Sequence, residues 1–159
     1  MHDDDFRLQF GGELAKLKEL GISESQIDGL QIVFLPENVF TFRDRSELHD
    51  AGDSLALAKA LKQEGVRCAT AYDLGLDIPV LERRSRDRWL GTVWIRDHLA
   101  VAFLVGVLSS LVATGISDAV LKPKVHAEVY IQRDANVTKL SFHGDGETLV
   151  KMLNALKDQ

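Results

Sequence analysis

The sequence predicts an α/β fold, one domain spanning residues 1–159 around a mixed sheet, and three of its segments carry the prediction. Residues 31–75 run strand, helix, strand, the order of a βαβ-like unit whose two strands pair in parallel. Residues 124–158 alternate apolar and polar positions through a hairpin and then change to helical spacing. Between them, residues 97–120 read as a long apolar helix of the kind that a sheet or a second helix covers.

The elements follow from local chemistry. Residues 1–30 form an N-terminal helical segment, in which Leu14, Leu17 and Leu20 recur at helical spacing and Gly21 is suited to close the helix. Ser23 and Gln26 then have the spacing of a capping box for a short second helix. "QIVFLPENVFTFR", residues 31–43, holds two β-branched and aromatic runs around Pro36-Glu37-Asn38, which predicts strand, turn, strand. "GDSLALAKALKQEG" predicts a helix with Asp53 or Ser54 as N-cap, Leu55, Ala58 and Leu61 on one face, and Gly65 as the stop. "VRCATAY", residues 66–72, reads as the strand that completes the crossover.

Pro79 and Gly91 argue against one continuous helix through residues 76–98 and leave that stretch unassigned. Asp97 is suited to cap the apolar helix and Pro123 to bar its extension. The last segment places Val125, Ala127, Val129 and Ile131 on one face, turns near Asp134 and Ala135, and returns with Leu140 and Phe142. It closes in a helix that Asp145 caps and along which Leu149, Met152, Leu153 and Leu156 form an apolar stripe.

At 159 residues and 45% apolar composition, the chain is large enough to bury a substantial core. Charge is uneven: residues 1–80 carry 15 acidic and 8 basic side chains, residues 81–159 carry 9 and 11, and the formal net charge is −5. That balance lacks the broad Lys and Arg surface that duplex binding needs, so no nucleic-acid partner is expected. The single cysteine, Cys68, has no partner for an internal disulfide, and the acidic start Met1-His2-Asp3-Asp4-Asp5 is unlike a secretory leader; both predict a cytoplasmic protein.

Residues 99–117 are nineteen positions without a charge, and two readings of them stand. In the first they span or lie on a membrane, with Trp89 and Trp94 at its interface and Arg83, Arg84, Arg86, Arg88 and Arg96 toward anionic lipid. In the second they form a buried or subunit-interface helix, because a crossing there would strand a hairpin and one helix of about 40 residues, near the lower limit for independent folding. Ala102, Gly106, Ser110 and Thr114 recur at every fourth position, a small-residue stripe that lets another element approach closely.

Three constellations are candidates for chemistry. If Asp134 and Ala135 are the turn residues, His126 faces His143, Glu128 faces Ser141 and Tyr130 faces Lys139; with Asp145 near, His126, Glu128 and His143 are ligand types for a divalent metal. A turn slipped by one residue pairs His126 with Asp145 and Glu128 with His143 instead, and the plain alternative is a solvated sheet face. Asp50, Asp53 and Asp73 fall near the ends of the crossover strands, where open α/β sheets bind ligands. Arg83 and Arg84, from "ERRSRDRW", would complete a nucleotide or sugar-phosphate site. No G-x-G-x-x-G, P-loop, H-E-x-x-H or G-x-S-x-G motif is present. The sequence therefore points to a non-catalytic interaction or regulatory module that needs no cofactor. It would associate through its apolar helix with itself, a partner protein or anionic lipid; a small phosphate-ligand enzyme is the alternative.

Overall fold

The computed structural model describes residues 15–84, 86–113, 123–133 and 136–157. Residues 15–19 are helical. The named elements are then α1 (Glu24–Ile27), β1 (Ile32–Leu35), β2 (Asp50–Ala51), α2 (Ser54–Gln63), β3 (Cys68–Ala69), β4 (Val80–Leu81), β5 (Arg88–Ile95), α3 (Val101–Ala113), β6 (Lys124–Arg133), β7 (Asn136–Asp145) and α4 (Gly146–Lys157). Five strands form a mixed sheet in the order β3-β1-β5-β6-β7, and β2 pairs with β4 in a small parallel sheet of its own. Within the large sheet β1 runs parallel to β3 and antiparallel to β5, β5 runs parallel to β6, and β6 and β7 form the antiparallel hairpin. The expected β1, α2, β3 unit is present as a parallel pair joined through a helix.

Alternation along the strands divides the interior in two. Ile32 and Phe34 of β1, Val93 and Ile95 of β5, and Val125, Ala127, Val129 and Ile131 of β6 face a helical layer. That layer contributes Leu57 and Leu61 from α2, Leu104 and Leu108 from α3, and Leu149 and Leu153 from α4. The opposite face places Val33, Leu35, Trp94 and Tyr130 against Leu17, Leu20, Ile27, Val39, Phe42 and Leu74 of the short helical and irregular segments. That irregular cover stops short of the outer part of β6 and β7, and the uncovered part is where polar side chains gather.

Four expectations change. The run after Asn38 is a turn and not a second strand: the carbonyl of Asn38 accepts from the amides of Thr41 and Phe42, and its side chain ties the loop to residues 47 and 49, so Val39 and Phe42 reach the core without a ladder. The strand expected at residues 66–72 is confined to Cys68–Ala69. The unassigned stretch contains β5, the strand at the sheet's centre. The ladder shifts between Trp89 and Gly91, so that Leu90 and Val93, three residues apart, both face the helices. Gly91 has φ +73°, and a Cβ there would stand 3.0 Å from the Cβ of Ala51, so glycine is required on two counts.

The fourth concerns the apolar helix. Its described part, α3, is 13 residues long; the expected continuation to Val120, with Thr114, lies outside the described residues, as does the turn at Asp134 and Ala135. Among the described residues no helix is long and apolar enough to cross a membrane. Nor does the small-residue stripe pack on the sheet. Val101, Leu104, Val105 and Leu108 fill that contact, while Ala102, Gly106 and Ser110 face outward.

Candidate functional site

The first candidate lies on the uncovered sheet face. Each strand sends alternate residues to that face, and the register aligns them in cross-strand rows: Trp89, His126 and His143 in one, Thr92, Glu128 and Ser141 in the next. The pairing of His126 with His143, Glu128 with Ser141 and Tyr130 with Lys139 is the one expected for a turn at residues 134 and 135; the slipped register is not formed.

The histidine row continues into a stack. The His126 ring lies parallel to Trp89 with centroids 3.6 Å apart and meets His143 edge to face at 4.1 Å. On the Trp89 ring the guanidinium of Arg83 sits 3.7 Å from the centroid. Among the described residues the Trp89 indole nitrogen has no hydrogen-bond partner, so these ring contacts hold it. Arg83 is fixed in turn by a two-pronged pair with Glu37, at 2.7 and 2.6 Å, and Glu37 also bonds His49 Nε2 at 2.8 Å. His126 Nε2 bonds Asp87 at 2.8 Å, which leaves its Nδ1 edge for other partners.

Electrostatics follow the pairing. Burial drives the Glu37 carboxyl toward a higher pKa, but Arg83 and His49 outweigh it and hold it below the ordinary value. The bond from His126, with the Lys124 amide, lowers Asp87. Asp50 behaves oppositely: burial pushes it up to about 6, with Glu37 adding to the rise and His49 opposing it. Between Glu37 and the outer strands opens a cleft of about 280 Å³, lined by Glu37, Trp89, His126, Glu128, Phe142 and His143 among others. Glu128 accepts a hydrogen bond from the Ser141 hydroxyl.

The other expected site residues are distributed unevenly. Asp53 is the N-cap residue of α2, yet its carboxylate makes no cap bond; it accepts from the Trp89 amide at 2.8 Å and pairs with Arg88 at 3.4 Å, joining the helix start to β5. Asp50, Asp53 and Arg83 thus border the Glu37 and Trp89 cluster, although both terminal nitrogens of Arg83 are engaged by Glu37. Asp73 bonds Lys62 near the opposite end of α2, about 13 Å from Asp53 along a helix rising 1.5 Å per residue, so it does not join them. Arg84 is exposed. Asp145 accepts from the Glu147 amide at 3.1 Å, as the cap expected for α4. Among the described residues no group of three or more His, Cys, Asp or Glu is placed to hold a metal ion.

Glu37, Asp87 and Trp89 were not legible as one site, since Glu37 and Arg83 lie 46 positions apart in the chain.

A second candidate is the outer surface of the helical layer. Seven large apolar side chains remain exposed among the described residues, and four of them, Leu55, Leu99, Phe103 and Met152, belong to its helices or to the turn entering α3. Leu99 is 69% and Phe103 46% exposed, with Ala102, Gly106, Ser109 and Ser110 exposed nearby. A Cβ added at Gly106 would meet nothing within 4 Å.

Comparison of the chain with protein-family models, with curated proteins and with solved structures finds no match.

Proposed function

We propose that this chain is a non-catalytic interaction module that pairs with a second copy of itself through the outer face of α3. The observation that carries this reading is Gly106, an exposed glycine in mid-helix whose missing side chain makes room for no other part of the described chain. Glycine at such a position costs about 0.5–1 kcal/mol against alanine. A second helix lying across Ala102, Gly106 and Ser110 would use that space, with Leu99 and Phe103 burying apolar area at its edges. An uncharged face of this kind is self-complementary, as a twofold pairing requires.

Light scattering in detergent-free buffer tests the reading. The parent chain is expected to shift from monomer to dimer with concentration, and Phe103→Glu to remain monomeric with its unfolding midpoint unchanged. A parent chain that stays monomeric throughout removes the proposal. Co-flotation with anionic vesicles, lost in Phe103→Glu, would assign the face to lipid instead.

A further inference from the structure

We propose that the cleft over β5, β6 and β7 binds a primary ammonium group, with Glu128 as the carboxylate that receives it. This stands apart from the reading of α3, since the cleft lies on the other face of the sheet.

The first ground is charge. Two carboxylates line the cleft, and one of them, Glu37, is matched by the Arg83 guanidinium. Glu128 has the Ser141 hydroxyl and forms no ion pair among the described residues. The diagonal cation on β7, Lys139, lies over the Tyr130 ring, with its Nζ 5.6 Å from the centroid. With neutral imidazoles the cleft is therefore negative, which attracts a cation and repels phosphate or carboxylate ligands.

Shape supplies the second ground. A volume of about 280 Å³ is at the small end for a ligand site, suited to a group of a few heavy atoms. Its walls are prefixed: His126 is clamped between Trp89 and His143 with Nε2 held by Asp87, so the cleft needs no reordering to receive a guest. The free edges of His126 and His143 accept hydrogen bonds when neutral. A bare metal ion would ask for three converging ligands, which the described residues do not place. An ammonium group asks for one carboxylate and neutral acceptors. Two sources share that chemistry, a small free amine and a lysine side chain of a partner chain.

The test is an NMR titration of the full chain at pH 7.5, following the imidazole signals of His126 and His143. The probes are butylamine, butyrate, zinc chloride and a blocked Gly-Lys-Gly peptide. Saturable shifts with butylamine or with the peptide are expected, the stronger of the two naming the source. Glu128→Gln is expected to weaken the response at least about tenfold with amide dispersion intact. Ser141→Ala, which leaves the carboxylate in place, should keep binding. Shifts that do not saturate, that survive Glu128→Gln, or that appear only with butyrate or zinc overturn the proposal.

Discussion

The two faces of the sheet are closed by opposite means. Toward the helices, apolar side chains from β1, β5 and β6 meet those of α2, α3 and α4 in one continuous apolar core. Toward the irregular segments, an apolar patch around Val33, Leu35 and Trp94 gives way to polar side chains whose mutual pairing does the holding: Glu37 to Arg83 and His49, Asp87 to His126, Asp53 to the Trp89 amide. Apolar packing tolerates no space but asks for little geometry, whereas a polar network tolerates openings provided every buried charge keeps its partner. That difference explains why the cleft opens on the second face. It also explains why the surface left bare on the first is the uncharged outside of a helix.

The largest expected effect breaks the helical side. Leu104→Ala, at a fully buried position of α3, should lower the unfolding free energy by about 3 kcal/mol in urea titration. Gly91→Ala sharpens the contrast at the seam where β5 changes phase: a left-handed backbone and a Cβ pressed against Ala51 together should remove about 2 kcal/mol, and lower the helical side only through β5. A loss below half that size would mean the ladder shift absorbs the side chain.

The polar face is probed by pH. Asp50 has its pKa raised in the folded chain to about 6, so its contribution is complete at pH values below the ordinary Asp pKa and is lost as pH rises through 6. Asp50→Asn removes that loss. The variant should match its parent near pH 4 and exceed it by about 1 kcal/mol at pH 8, a figure reduced for the solvent around a half-buried group. Glu37 and Asp87, both lowered, act in the other direction: their stabilisation is present above the ordinary carboxylate range and disappears as pH falls through their own lowered pKa values. An Asp50→Asn variant whose advantage did not grow between pH 4 and pH 8 would contradict the assignment.

The hairpin was readable because its alternation is strict and one face must be buried, so His126, Glu128, Ser141 and His143 fell on one face; a turn slipped by one residue keeps that face, and only the observed ladder selects His126 opposite His143 and Glu128 opposite Ser141. β5 was hidden because Gly91 resets the alternation by one residue, and a pattern counted across it is out of phase with itself. The outward side of α3 was hidden for another reason. A run apolar at nearly every position has no phase, so sequence alone cannot say that Leu104 and Leu108 face the sheet while Ala102, Gly106 and Ser110 face away. Asp53 could be read as the α2 cap but not as a ligand of the Trp89 amide, because that bond joins elements 36 positions apart.

The measurement that tests the central claim most directly is Gly106→Ala, followed by two readouts on one preparation: thermal unfolding at a dilution where the chain is monomeric, and the dimer dissociation constant by sedimentation velocity. If Gly106 is retained for close approach of a second helix, the two should move in opposite senses, with the monomer gaining about 0.5–1 kcal/mol while association weakens. A more stable monomer whose association is unchanged or tighter would contradict the account.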